Sequence, residues 1–393
     1  MAARVLTVSQ HDGYLRVQFA ENNEHADYHY FWLRHNCPCL NGCRHPDTRE
    51  RVIDSIDVPI DIEPVSVQAN ANCITIHWPG EATPNGEGER HVSTFEASWL
   101  REHAYALNRV QAKAIAADVD RITLDYNDYV KQYGDSTGQL SEEGLHRYRV
   151  DCGLRLKVYG LVVVRNRGDD TEAIIADFIT KDGEPIPTHF GRIEDLRTDN
   201  TTNDNTDQLG YTTAGVDLPP DQPFIQAPPP FQFLQCMRPA DQGGDSYLAD
   251  AFAVAEYIRN EKSTRAYGLL TTVPITFHRK QAKFESKVVA PLLTLSAHGA
   301  PQQIRYSYFS QAAHHLSFAD MTEFYDAYNL FTKTIRDPRN QYRFALNTGD
   351  IVLYDNYRMV HARTPFIGSR WVRGVYLSKE DTWNTLLGSD LGY

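Results

Sequence analysis

Three cysteines fall within seven residues, Cys37, Cys39 and Cys43. In a reducing compartment such clustering reads as a metal site before it reads as disulfides. A structural zinc ion takes four N or S donors in a tetrahedron. His35, His45, His77 and His91 are all candidates for the fourth place. The nearest of them strain a tetrahedron, because Cys-x-Cys already uses up the loop. A distant histidine would pin the loop to its domain, and metal binding would then add to folding free energy. The bland alternative is three reduced cysteines without an ion. A second constellation lies near the C-terminus. Residues 349–363 read as strand, turn and strand end presenting His361, and Arg370 follows nine residues later. An imidazole can ligate a metal, and a guanidinium fork matches a carboxylate. Alone, His361 would be an ordinary histidine; its neighbours set it apart.

These groups need a scaffold. Residues 1–105 carry short β-type runs at 4–8, 14–19, 29–33 and 73–78, with turn residues such as His11-Asp12-Gly13 between them. The pattern predicts a small β-rich domain that closes on a helix over 94–110. Residues 106–144 read as a linker with short helices, and 145–393 as a second domain. There, 156–165 predicts a buried strand, as do 231–237, 349–354 and 371–377. Helical spacing marks 171–180, 250–258 and 321–335, and 198–207 is all Asn, Asp and Thr, a loop. Strands dominate without regular strand–helix alternation. A mainly β fold results, a β-sandwich or jelly roll with flanking helices.

Composition bounds the rest. A chain of 393 residues exceeds one ordinary core, so two domains are expected. With 41% hydrophobic, 11% aromatic and 23% charged residues it is a folded globular type. A net charge of −12 leaves no basic face for phosphates, which argues against nucleic-acid binding. No apolar run is long enough for a membrane helix. The first ten residues lack a secretory apolar core, and Leu391-Gly392-Tyr393 is no address signal. A cytoplasmic location is the expectation.

Non-haem iron oxygenases hold Fe(II) with two histidines and one carboxylate, leaving positions for 2-oxoglutarate and oxygen. A first His-x-Asp/Glu pair is followed, more than a hundred residues later, by a second histidine and then an arginine. The chain resembles the γ-butyrobetaine and trimethyllysine hydroxylase branch of the taurine-dioxygenase-like superfamily over nearly its whole length. The segments that carry this resemblance are 32–39 (WLRHNCPC), 211–213, 229–234 (PPFQFL), 243–246 (GGDS) and Asp355-Asn356-x-Arg358-x-x-His361-x-Arg363. It implies a double-stranded β-helix oxygenase domain behind a small zinc-binding domain. His91, beyond Trp78-Pro79, is then the fourth zinc ligand. Asp221 and His361 would bind Fe2+, and Arg370 would bind 2-oxoglutarate. Phe190, Tyr211 and Tyr376 keep the aromatic character of a cage for a trimethylammonium group, while Glu194 stands where a tryptophan is usual. The implied partners are a small-molecule substrate and a second subunit, either a copy of the chain or a paralogous oxygenase.

One departure outweighs the matches. The family's first iron-ligand histidine aligns with Pro219, which has no lone pair to give. Asp217 and His189 are the nearest residues that might substitute. Three readings follow: a small-molecule oxygenase with an atypical metal site, a catalytically inactive pseudo-oxygenase subunit that completes an active paralogue, or a metal-independent isomerase or cyclase.

Overall fold

The structure is a computed structural model that describes residues 3–20, 24–40, 42–80, 91–104, 107–108, 117–198, 209–313 and 316–388. The chain divides into two compact units, Met1–Lys113 and Ala114–Tyr393.

The first unit holds two antiparallel sheets. One runs in the order Val5–His11, Tyr14–Phe19, His25–His29, Leu107–Asn108; the other is Ser66–Ala69, Cys73–His77, Val92–Glu96. His11 pairs with Tyr14, so Asp12-Gly13 is a two-residue hairpin turn, and Gly13 takes the positive φ of 76° that such a turn needs. Strict period-2 burial places Leu15, Val17 and Phe19 in one core with Ile74, Ile76, Trp78 and Phe95. Two expectations change. The run at 29–33 is helix Tyr30–His35, entered directly from strand His25–His29. The helix expected over 94–110 is only Ala97–Glu102, because the residues before it complete strand Val92–Glu96; residues 105–106 and 109–110 lie outside the described set. Both segments mix β-branched or aromatic residues at either spacing, and pairing partners decided them.

The second unit is built around a six-stranded sheet in the order Glu194–Arg197, Trp371–Leu377, Phe231–Arg238, Ile351–Asp355, Leu161–Arg165, Thr123–Asp125. Every neighbour pair is antiparallel except the last. Successive side chains face opposite ways. Val162, Val164, Phe231, Phe233, Leu353 and Leu377 pack under helices Glu142–Tyr159, Thr171–Phe178 and Lys379–Leu386. The opposite face carries Val163, Val352 and Tyr354. It meets the three-stranded sheet Gln341–Phe344, Ser246–Asp250, Met359–Arg363 through Leu248, Tyr342 and Met359. Gln232 and Tyr376 share this inner face's parity and line the cavity between the two sheets.

The run 156–165 is not one strand. Helix Glu142–Tyr159 continues through its first residues and stops at Gly160, whose amide closes onto the Leu156 carbonyl at 2.9 Å with φ 79°. A Cβ at Gly160 would stand 2.6 Å from Met359 Sδ, so both turn and packing require glycine here. In the stretch expected as a linker, short helices Val119–Ile122 and Tyr126–Tyr133 flank strand Thr123–Asp125, and Leu124 of the strand with Tyr126 and Tyr129 of the second helix pack into the core of the second unit. Except for Thr198, the loop expected at 198–207 lies outside the described residues. Among the described residues no helix is long and apolar enough to cross a membrane.

Candidate active site and metal centre

In the first unit, helix Tyr30–His35 delivers the chain to Cys37, and strand Val92–Glu96 starts one residue after His91. Trp78, fully buried, holds the strand in place. Its amide donates to the His91 carbonyl at 2.8 Å, and its indole N–H to Ser93 Oγ at 2.8 Å. His91 Nε2 thereby stands 3.3, 3.7 and 3.5 Å from the sulfurs of Cys37, Cys39 and Cys43. Around a tetrahedral zinc, with Zn–S near 2.3 Å and Zn–N near 2.05 Å, that separation is about 3.6 Å. The four donors therefore have the chemistry and spacing of a zinc site, and they form the only group of three or more potential ligand residues found among the described residues. Arg34, buried, donates to Cys43 Sγ at 3.3 Å. Hydrogen bonding from Cys43, opposed by burial and aided by His91, pulls the Cys37 thiol below its ordinary range. The competing histidines are elsewhere: His45 Nδ1 accepts from the amides of Asp47 and Thr48, and His35 stacks on Phe31.

In the second unit, a cavity of about 280 Å3 opens between the sheets, a small-molecule size. His361 is carried by strand Met359–Arg363 opposite Leu248, and Asp221 by a connection that runs back along that strand. Val216 exchanges both backbone hydrogen bonds with Arg363, and His361 N donates to the Pro219 carbonyl at 3.0 Å. Leu218 and Gln222 take positive φ, 38° and 53°, on either side of the Pro219-Pro220-Asp221 segment. Asn356 then clamps Asp221 from both sides. Its Oδ1 accepts from Asp221 N at 2.6 Å and its Nδ2 donates to Asp221 O at 3.0 Å. The Tyr354 hydroxyl, with one proton to give, lies between two acceptors, Asp221 Oδ2 at 3.3 Å and Gln232 Oε1.

The outcome is His361 Nε2 at 3.7 Å from Asp221 Oδ1. That is too long for a hydrogen bond. Two ligand atoms about 2.1 Å from one octahedral ion stand about 3.0 Å apart at a right angle, so the pair faces a common point with its atoms somewhat wider than a shared ion would hold them. Pro219, which the family resemblance aligns with a third ligand, has a side chain that offers no donor. Neither substitute reaches it. Asp217 is ion-paired with Arg336 at 2.6 Å, and His189 stacks on Phe284 with its Nε2 against Gln281 Oε1.

Arg370 lines the same cavity at 8% exposure, and no carboxylate pairs with it among the described residues. Burial pulls its guanidinium down to about 10. Gly244 makes room, since a Cβ there would press on Arg370 Cδ at 3.4 Å. A buried cation without a protein counter-ion is suited to an anionic ligand.

Of the expected cage residues, Phe190, Glu194 and Tyr376 line the cavity. Tyr211 stands one layer back, edge-on to Phe190, and donates from its hydroxyl to Glu194 Oε1 at 2.9 Å. Burial, then the Asp221 carboxylate, pushes the Tyr354 and Tyr376 hydroxyls well above their ordinary range. Sequence reasoning missed Tyr354, Gln222 and Gln232. Gln232 left a trace, being polar between Phe231 and Phe233 in an apolar strand.

Residues 153–376 match the family described as taurine catabolism dioxygenase TauD, TfdA family, and residues 6–101 the gamma-butyrobetaine hydroxylase-like N-terminal family. The chain belongs to the TauD/TfdA family. It is 30% identical over 377 residues to "Dioxygenase str8" of Strobilurus tenacellus, covering 91% of this chain and 84% of that one. It is 29% identical over 387 residues to the gamma-butyrobetaine dioxygenase of Pseudomonas sp. (strain AK-1), covering 92% and 90%. It is 26% identical over 404 residues to the mitochondrial trimethyllysine dioxygenase of Homo sapiens, covering 98% and 89%.

Proposed function

We propose that the second unit is a 2-oxoglutarate-dependent oxygenase of small molecules whose iron rests on two protein donors, Asp221 and His361. The observation that carries this reading is the buried Arg370 guanidinium, which pairs with no carboxylate among the described residues and lies in the same cavity as that pair. The dioxygenase names of the relatives agree with it. Arg370 would take the distal carboxylate of 2-oxoglutarate as a fork. Asn356 and Tyr354 orient the Asp221 carboxylate, and the Pro219 carbonyl fixes the backbone of His361. An iron bound there would supply oxygen activation coupled to decarboxylation of 2-oxoglutarate. Phe190, Glu194 and Tyr376 would face the substrate. In the first unit, Cys37, Cys39, Cys43 and His91 would hold a structural Zn2+.

Thermal unfolding with and without 2-oxoglutarate tests this. Folding carries a cost for keeping Arg370 charged at pH below about 10, and an anion relieves that cost. Ligand at a hundred times its Kd should add about 2.7 kcal/mol, or roughly 5–10 °C in Tm. Arg370→Ala should abolish the shift and weaken binding roughly a hundredfold or more. No shift with the unmodified protein, or one that survives in Arg370→Ala, would sink the proposal.

Pro219 favours a second reading, a pseudo-oxygenase subunit paired with a paralogous oxygenase. The two separate on iron. Sustained 2-oxoglutarate consumption by the chain alone, with added ferrous salt, supports the first; an iron-free chain that raises a paralogue's turnover supports the second.

A further inference from the structure

Three side-chain acceptors around the cavity have partners, and two donors do not. Glu194 Oε1 accepts from the Tyr211 hydroxyl at 2.9 Å, Gln281 Oε1 meets His189 Nε2 at 3.1 Å, and Gln232 Oε1 meets the Tyr354 hydroxyl. Gln222, 5% exposed, lines the same cavity. Its Nε2 is buried and makes no hydrogen bond among the described residues, and the Tyr376 hydroxyl is near that amide without bonding its nitrogen. Arg363 Nε is likewise buried without a hydrogen bond among them. A buried amide donor left unpaired costs free energy that an acceptor would recover. Nor can Gln222 turn away. Its φ is 53°, a conformation that side-chain-bearing residues adopt at a cost, and bonds on either side impose it. Before it, Asn356 grips Asp221 N and O. After it, Arg305 Nη1 donates to the carbonyls of Pro223 at 2.6 Å and Ile225 at 2.8 Å, and Ile225 N donates to the Gln222 carbonyl at 3.2 Å. The surroundings thus hold a strained residue, with an unused donor, on the wall of a ligand-sized cavity.

We propose that Gln222 is a specificity-determining residue of this cavity and that its Nε2 donates to an oxygen of the substrate, a carboxylate or a carbonyl. This rests on the oxygenase reading only in that 2-oxoglutarate then occupies Arg370 and leaves Gln222 to the substrate. Neither an ammonium nor a trimethylammonium group has a lone pair to receive the amide hydrogen, so neither satisfies Gln222.

The test uses the full chain, saturating 2-oxoglutarate and three probes that share a four-carbon skeleton: butyrate, butyramide and butylamine. Ligand-observed NMR titration should find butyrate and butyramide at least about tenfold tighter than butylamine. Gln222→Met keeps the length and removes the donor, and should weaken both oxygen-bearing probes by about tenfold. Gln222→Glu keeps the shape and puts an acceptor where the donor was. It should weaken butyrate further and bring butylamine level with it or ahead. Both variants should keep the thermal shift with 2-oxoglutarate, which shows that they are folded. Butylamine as tight as butyrate in the unmodified chain, failure of both oxygen-bearing probes to bind, or unchanged butyrate affinity in both variants would each overturn the proposal. Oxygen-bearing probes that lose affinity in Gln222→Met, in a chain that gives no 2-oxoglutarate shift, would uphold this role for Gln222 while sinking the oxygenase reading.

Discussion

The two metal-type clusters of this chain are assembled in the same way and end differently. In the first unit, a loop after a short helix supplies Cys37, Cys39 and Cys43, and a strand more than forty residues on returns His91 to within 3.3–3.7 Å of all three sulfurs. In the second, a connection supplies Asp221 and a distant strand returns His361, and the position that family resemblance assigns to a further histidine holds Pro219. The supporting contacts are present in both cases. Trp78 fixes His91, while Asn356 and Tyr354 fix Asp221. The first cluster gathers four donors and the second two, although each has its own supporting contacts. A complete ligand set cannot be inferred from the frame.

That contrast can be broken from either side. The largest effect should come from Cys37→Ser. Removing one of four donors should take zinc from about one equivalent per chain to near zero and unfold the first unit, because binding energy and folding energy are shared in such sites. Elemental analysis and circular dichroism would show it. A zinc-free, fully folded wild-type chain would erase the comparison. Next, Pro219→His should tighten Fe(II) binding by about tenfold or more, since it restores a donor where the backbone geometry is already set. No gain in ferrous affinity would mean that the pocket has drifted beyond this one position. Asn356→Ala should weaken Fe(II) binding by roughly 10- to 100-fold as Asp221 loses its clamp. Smallest of all, His45→Ala should leave zinc content unchanged; a loss there would move the fourth ligand away from His91.

Much of this could be read from residue types, and the reasons for the rest are physical. Strand Trp371–Leu377 carries its signal locally, in apolar alternation. Helix Tyr30–His35 does not, because an aromatic-rich stretch fits either period until strand pairing decides. The run ending at Arg165 held two elements because Gly160, read as one residue in an apolar stretch, is the left-handed stop of a helix. The cysteine cluster pointed to a metal by residue type, family likeness picked His91 among four histidines, and only the fold shows its Nε2 within 3.7 Å of all three sulfurs. Asp221 came from family likeness, and the Tyr354 hydroxyl against its carboxylate, with Gln232 behind it, could not be seen until the sheet brought them within reach.

Arg363, two residues beyond His361, donates to the carbonyls of Gly210, Thr212 and Ala214. Carbonyls are the same whatever side chains they belong to. The rim of the cavity is therefore fastened to the strand that carries His361 by a latch blind to the rim's own sequence. Such a loop can drift, and the chain can explore new ligands, without loosening the histidine beneath it. The latch itself tolerates less change: lysine, a point charge on a flexible stem, cannot replace a rigid fork spread over three acceptors.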